Sequence, residues 1–523
     1  MPTPSVEKNA FLSKRLQFGL TIAVAVLVLL FVAVFLAGPD KLFADDSYFY
    51  FQVAWNFARG MGSTFNNVMP TNGYHPLWML ICAAIFKVAR TKQAGIFGIA
   101  IAIALFDLVT LWIVRRLVAL VANDLWPLAF VLLVPFCFLS QLGTEGAVSG
   151  MFLALLMYLG YQVAKAPSFS RIVSFNFVAA LAVLSRLDNI FIVAFVWLAG
   201  WMALGREDDQ TFRRLHLASL PIYLVLWGSY ITSNWIYFHS IQPISGLLKS
   251  HNNGDHSLGT NLPHTALMAL SFILICMPIV AMRRRDLFFQ TVEVPLTLGI
   301  LCHATYIVLR MSSETRWTWY YTSWILLASV LLARAGSIVI ENRRWLAGPV
   351  SLLCVLVMLI AWERKSYRFV YRGLDPRPPI SFNDVVYRKA GIRRALAYDQ
   401  PGALAFYSDV EIIPLDGLMG NLDFQHKLAT DGLRKVIADE QIDGFIGPPL
   451  ELSANNSMCS NIYLSSVRFH CIPEKGALRP TGVDVYARMP FAFSGTLALN
   501  KEQIVWAKKD FASVWRISTG HEN

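Results

Sequence analysis

Charge is what this 523-residue sequence has least of. Asp, Glu, Lys and Arg make up 15% of it, against about 25% in soluble domains, and the shortfall excludes an ordinary water-soluble enzyme. Cysteine is scarce where it could do chemistry. Five of the seven (Cys82, Cys137, Cys276, Cys302, Cys354) lie in apolar runs, where a thiol simply packs. The other two, Cys459 and Cys471, are too few for a zinc site. The stretch from Gly402 to Gly417 lacks GxGxxG spacing, which argues against a nucleotide-phosphate loop there. No internal repeat and no low-complexity tract stands out. The missing repeat counts against a transporter built from duplicated halves.

Long apolar runs are what the chain has instead. Hydrophobic residues reach 55%, so the expected fold class is a polytopic α-helical membrane protein. The first run, Phe18 to Gly38, carries no charge and meets the about 20 residues needed to span. It exceeds a signal-peptide core of about 7–15 residues, so a retained anchor is expected. The net charge of +11 sits in short loops between runs, which is a topology signal rather than a nucleic-acid surface. Lys8, Lys14 and Arg15 precede the first span and put the N-terminus in the cytoplasm, with Asp45 emerging outside.

The next apolar piece, Leu77 to Ala89, is too short to cross and reads as an interfacial helix returning to the outer side. Ten further spans then follow, at about 94–114, 125–142, 147–164, 172–185, 189–204, 215–237, 264–282, 288–309, 318–335 and 345–362, for about eleven in all. This parity leaves Arg115-Arg116 and Arg283–Arg285 inside, as the positive-inside rule asks. It gathers Asp45, Asp46, His75, Glu145, Arg186, Asp188, Lys249, Glu314 and Arg316 on the outer face.

From residue 363 the texture changes, dividing the chain into a membrane part, 1–362, and an extracytoplasmic α/β part, 363–523. Asp375-Pro376-Arg377-Pro378-Pro379 reads as a linker. Strands are expected at Ala403–Tyr407, Glu411–Leu415, Gly444–Ile446 and Val483–Arg488, and helices at Asp384–Ala397 and His426–Glu440. On the extracytoplasmic side a Cys459–Cys471 disulfide is expected.

The chemistry concentrates between Ala44 and Trp78, in ADDSYFYFQVAWNFARGMGSTFNNVMPTNGYHPLW. Two adjacent carboxylates, Asp45 and Asp46, follow the first span. Charged groups at a membrane boundary point to function, and the surrounding aromatics would raise a carboxylate pKa toward general-base use. A solvated helix-capping pair fits the same spacing. Gly-rich and Asn-Gly turns then lead to Tyr74-His75-Pro76. Adjacent carboxylates point apart and no Asp-x-Asp spacing is present, so a divalent metal is possible at Asp45-Asp46 but not favoured.

This stretch resembles the first extracytoplasmic loop of bacterial GT-C glycosyltransferases, polytopic enzymes that use polyprenyl-phosphate-linked sugars, including arabinofuranosyl- and mannosyltransferase-like enzymes of the cell envelope. The family pairs an acidic dyad after the first span with a TNGxHPLW-like segment opening a short helix. Gly143-Thr144-Glu145 is similar to its Gly-Met-Glu-Thr stretch. Ser185-Arg186-Leu187-Asp188 is similar to its Arg-Pro-Asp-Gly turn, with Leu187 in place of Pro and Asn189 in place of Gly. Gln242–Lys249 is similar to its Pro-(Val/Ile)-Ser-Gly-x-x-Lys loop, and Phe406-Tyr407-Ser408…Pro414-Leu415-Asp416-Gly417-Leu418 to its Tyr-Phe-Ser…Asp-Leu-Asp-Gly-Leu run.

The resemblance implies an inverting transfer of sugar from a polyprenyl-phosphate donor to an envelope glycan, lipid or protein in the bacterial inner membrane. Membrane lipid is an implied partner, nucleic acid is not, and no cofactor is needed. Asp45 would be the base and Asp46 its partner or an acceptor-orienting group. Lys249, Arg186 and Arg316 would meet the leaving phosphate, unless they only contact headgroups. Glu145 and Asp188 would bind sugar hydroxyls or hold those cations. His75 would bond phosphate or acceptor, or cap a helix before Pro76. Trp317, Trp319, Tyr320 and Tyr321 suit sugar stacking or an interfacial belt. A lipid or solute transporter is the competing class, disfavoured because the charges cluster at one end of the spans.

Overall fold

The computed structural model describes residues 14–37, 43–123, 125–140, 142–204, 210–250, 262–311, 318–373, 393–397, 402–408, 410–414, 418–442, 444–447, 488–490 and 511–516. Helices stand at every expected span: α1 (Lys14–Ala37), α4 (Lys92–Val121), α5 (Trp126–Ser140), α6 (Gly146–Lys165), α7 (Phe169–Ser185), α8 (Ile190–Leu204), α9 and α10 (Gln210–Ala218, Leu220–Phe238), α12 (His264–Arg283), α13 (Val294–Arg310), α14 (Thr322–Ile340) and α15 (Ala347–Gly373). Among the described residues, six helical segments are long and apolar enough to cross a membrane by length and composition. Between the spans run α2 (Asp45–Ala58), α3 (Pro76–Ala89) and α11 (Ile244–Ser250).

Local chemistry sets several of these boundaries. Pro76 opens α3, where a missing N–H costs nothing. At 14 residues that helix covers about 21 Å, short of the ~30 Å hydrocarbon core. Thr91 caps α4 by accepting the Ala94 N–H at 3.2 Å. The expected span 215–237 lies within one apolar helical segment, Phe212–Phe238, interrupted by a single turn residue at Ser219. Pro221, in the first turn of α10, has no N–H to continue α9. A π-helical turn, Phe289–Glu293, leads into α13.

The first loop is also more regular than a turn-rich stretch suggests, because Asp45–Ala58 is helical. Asp45 and Asp46 lie in its first turn, where negative charge meets the positive end of the helix dipole. The residues from Ser47 to Ala54 are all buried, so α2 is enclosed on every side.

The described C-terminal part contains α16 (Gly402–Tyr407), α17 (Leu422–Asp439) and five strands: β1 (Arg394–Ala397), β2 (Glu411–Pro414), β3 (Gly444–Gly447), β4 (Arg488–Pro490) and β5 (Phe511–Arg516). Their order in the sheet is β2-β1-β3-β5-β4. β1 pairs in parallel with β2 and β3, in register Ala395–Ile412 and Ala395–Gly444, while β5 runs antiparallel to β3 and β4. Two expectations are corrected here. Ala403–Tyr407 is helix rather than strand. Arg394–Ala397, expected as the end of a helix, is a strand, held by parallel partners on both edges. In both, tertiary contacts override local preference. The expected linker at 375–379, and Cys459 and Cys471, lie outside the described residues.

Two apolar cores form. The larger fills the helix bundle. The smaller joins Phe49, Phe51 and Trp78 of the first loop to Ala395, Phe406, Ile412 and Met419 of the C-terminal part. The second core fixes the roof of the site described next.

Candidate active site

A cavity of about 450 Å³ lies where the first loop, the α7–α8 turn, α11 and the turn preceding α14 meet. Asp46, His75, Glu145, Arg186, Asp188 and Lys249 all line it, although 203 sequence positions separate the first from the last. Apolar groups from α8 and α10, including Phe191, Trp227 and Ile231, complete the wall.

Helix geometry decides which of the two first-loop carboxylates faces this space. Successive residues on an α-helix point about 100° apart. Asp46, Phe49 and Tyr50 form one stripe of α2, and it is this stripe that lines the cavity. Asp45 points elsewhere, is absent from the lining, and accepts hydrogen bonds from the Gly402 and Ala403 N–H groups at 2.8 Å each. The residue expected to be the base therefore sits on the start of α16 with both carboxylate oxygens occupied.

The loop is locked in place around this helix. Gly143 has φ +88°, a left-handed conformation, and a Cβ there would come within 2.6 Å of the Phe43 ring. Its carbonyl accepts the Trp78 indole N–H at 3.1 Å, tying the Thr71–Trp78 segment to Thr144-Glu145. Asn72 clamps α11 from both directions. Its amide donates to the Gln242 carbonyl at 3.1 Å, and its oxygen accepts the Ile244 N–H at 3.0 Å.

At the floor is a buried ionic network centred on Arg186, only 2% exposed. Its guanidinium donates to Glu145 Oε1, and to Asp188 Oδ2 at 3.0 Å. Its flat face lies 3.9 Å from the centre of the Tyr320 ring. Tyr50 donates to Glu145 Oε2 at 2.8 Å, and His303 Nε2 lies 3.0 Å from Asp188 Oδ2. His75 Nδ1 accepts the Leu187 N–H at 3.2 Å, which leaves Nε2 carrying the proton 3.7 Å from Glu145 Oε1.

Charge follows from these contacts. Burial lowers the His75 pKa and outweighs Glu145, so the ring is neutral. Burial opposes the Asp188 carboxylate, yet Arg186 and then His303 hold it far below the usual carboxylate range. Burial likewise opposes the Lys249 ammonium, while Tyr320 and Asp46 raise its pKa above the ordinary value.

The expected phosphate-binding trio is thus redistributed. Arg186 is committed to two carboxylates and an aromatic face. Arg316, with Glu314 and Trp317, lies outside the described residues. Lys249 lines the cavity, donating to the Tyr320 hydroxyl at 3.3 Å. Thr144 also lines the cavity, and its buried Oγ1 has no hydrogen-bond partner among the described residues.

Sequence reasoning missed His303 and the Leu418–Met419 wall. A lone histidine inside an apolar span was the available signal for the first. For the second, the family-like run ending at Leu418 was the signal, but not its position: a Cβ on Gly73 would lie 1.9 Å from the Leu418 carbonyl oxygen, a contact across 345 positions.

No protein-family model and no curated protein sequence matches the chain. Solved structures do. ArnT from Cupriavidus metallidurans bound to undecaprenyl phosphate superposes with a TM-score of 0.55 at 14% identity, covering 82% of this chain and 93% of that one. ArnT from the same organism in the apo state gives 0.53 over the same shares. The Archaeoglobus fulgidus oligosaccharyltransferase in complex with Zn and sulfate gives 0.46 at 10% identity, over 82% and 68%. The chain has the fold of the GT-C membrane glycosyltransferases and is a multi-pass helical membrane protein.

Proposed function

We propose that the protein is an inverting glycosyltransferase that moves a sugar from a polyprenyl-phosphate donor to a cell-envelope acceptor. In this reading it sits in the bacterial cytoplasmic membrane with its N-terminus inside. Residues 1–362 form the membrane catalytic part and residues 363–523 an extracytoplasmic α/β part. The observation that carries the reading is that one cavity holds a carboxylate, Asp46, and a cation, Lys249, beside an apolar wall. A lipid-linked sugar phosphate has the matching parts: a polar ring, an anion and a hydrocarbon chain. The undecaprenyl phosphate carried by the ArnT structure of the same fold has the last two of these parts, the anion and the hydrocarbon chain.

Asp46 takes the proton of the acceptor hydroxyl as its oxygen attacks the anomeric carbon. The bond from that carbon to the phosphate oxygen breaks, and its electron pair leaves on the phosphate, which faces Lys249. Attack opposite the leaving group inverts the centre. The phosphate departs without protonation, so one base suffices, unlike the paired carboxylates of glycoside hydrolases. Lys249 supplies the positive charge as a compact ammonium. Arg186, Glu145 and Asp188 hold the floor rigid rather than meeting the phosphate.

The test is transfer from polyprenyl-phosphate sugars by the full chain in liposomes. Asp46→Asn should lower turnover by about 10²–10⁴-fold, the usual worth of a positioned base. Wild-type turnover in that variant removes Asp46 as base, and no transfer by the wild type from any such donor sinks the reading. For sidedness, single cysteines at Lys249 and Arg284 should label from opposite faces of the membrane.

A further inference from the structure

We infer that Asp45 is a positioning residue: it fastens α16 across the first loop, so that Leu418 and Met419, further along the chain, wall the cavity on the side that carries Lys249. The inference rests on the sugar-transfer reading for its consequence, but its physical basis is independent.

A six-residue helix such as α16 closes too few internal hydrogen bonds to hold itself. It is held from outside, by the contacts that follow and by the Tyr407 hydroxyl 3.3 Å from that of Tyr48. The Asp45 carboxylate occupies the Gly402 and Ala403 N–H groups at 2.8 Å, charge-assisted bonds at the positive end of a helix. Phe406 is fully buried between Tyr48, Phe51 and Phe86, with ring centres 5.5, 6.3 and 5.8 Å away. Lys92 donates its ammonium to the Phe406 carbonyl.

Beyond α16 the chain forms β2, which pairs with β1, and Leu418 then lies against Gly73. The position of a Cβ on Gly73 is 1.9 Å from the Leu418 oxygen and 3.3 Å from the side chain of Ile244, the first residue of α11, which also carries Lys249. Leu418 and Met419 line the cavity together with Asp46 and Lys249. Asp45 thus acts at a distance: it seats α16, the seated segment delivers Leu418 and Met419, and these close the donor side. Release of the anchor weakens the hold on the lipid-linked donor and leaves the proton-accepting step to Asp46.

The experiment uses the full chain in nanodiscs, with steady-state transfer from a polyprenyl-phosphate sugar and backbone hydrogen exchange measured on the same samples. Asp45→Ala should raise KM for the donor by about tenfold or more with kcat within about threefold, whereas Asp46→Asn should show the opposite split. Exchange protection across 402–407 should fall in Asp45→Ala and persist in Asp46→Asn. Asp45→Asn keeps one accepting oxygen and should recover part of both losses. Gly73→Ala displaces Leu418 without touching Asp45 and should raise KM in the same way.

A kcat collapse in Asp45→Ala with protection intact would make Asp45 a participant in the chemistry and overturn the inference. Unchanged KM in Asp45→Ala or in Gly73→Ala overturns it as well. If the wild type transfers no sugar, the functional reading fails, while exchange still decides the anchor: protection retained in Asp45→Ala overturns it.

Discussion

Among the described residues two arginines are buried in this bundle, and they stand at different depths of the same fold. Arg186 meets Glu145, Asp188 and the Tyr320 ring beside the cavity. Arg334, 1% exposed, lies on α14 about 20 Å from Tyr320 at ~1.5 Å per residue. It donates to Asp286 Oδ2 at 3.0 Å and to the Arg284 carbonyl at 3.3 Å, lies 3.3 Å from Glu293, and stacks on Phe288. Each neutralises carboxylates that could not stand alone in an apolar interior.

The difference is what surrounds them. Around Arg186, further polar groups (Asp46, Lys249, His75, Thr144) face a space large enough for a ligand. Around Arg334, the partners join the 284–286 turn and the π-helical turn to α14, and none of them lines that cavity. A buried charge therefore marks a site only where polar groups beyond its own neutralising partners converge on a cavity.

The largest expected effect separates the two hubs directly. Arg186→Met leaves Glu145 and Asp188 buried without their cation, at about 3–5 kcal/mol, and should abolish transfer together with a large loss of thermal stability in detergent. Replacing the other pair as a unit, Arg334→Met with Glu293→Leu, should be near neutral or slightly stabilising by the same reasoning, with transfer retained. Loss of transfer in that double variant, without loss of fold, would break the distinction.

Next in size is Lys249→Ala. Removing a charge-assisted contact to a phosphate costs about 1.5–3 kcal/mol, read as roughly a 10- to 100-fold rise in KM for the donor. Lys249→Arg should recover only part, because a planar fork replaces a point charge. His303→Ala takes one partner from Asp188. It should lower the unfolding free energy by about 1–3 kcal/mol and change turnover less than Lys249→Ala does.

The membrane helices were legible because each is a predominantly apolar run, and even those that carry a buried charge, such as Asp107, Glu293 or Arg334, keep enough apolar length to be read. The convergence of Asp46, His75, Glu145, Arg186, Asp188 and Lys249 was legible for a related reason. Counting spans sends alternate loops to the same face, and a cavity there can gather side chains distant in sequence. The direction of Asp45 was not legible. It depends on α2 being helical, which turns neighbours about 100° apart, and on α16, whose own sequence reads as a strand. Phe406 becomes helical because Asp45, Lys92 and the aromatic pocket hold it, all more than 300 positions away. His303 was hidden differently, as one polar residue in an apolar span whose partner Asp188 is 115 positions off.

The smallest expected effect bounds the comparison from below. Arg284 and Glu341 pair at 2.8 Å near the Arg334 hub, but the two side chains are 37% and 47% exposed. Exposed pairs contribute about 0–1 kcal/mol, since water screens the attraction and two long side chains must be ordered to make it. Arg284→Ala should therefore shift the unfolding midpoint barely at all and leave transfer unchanged, and salt should erase what difference there is. Arg334 also accepts no help from this pair beyond the Arg284 backbone carbonyl, which the substitution keeps. A large loss of stability in Arg284→Ala would mean that the Arg334 hub extends to the surface as one coupled network, and the contrast with Arg186 would then be one of degree rather than of kind.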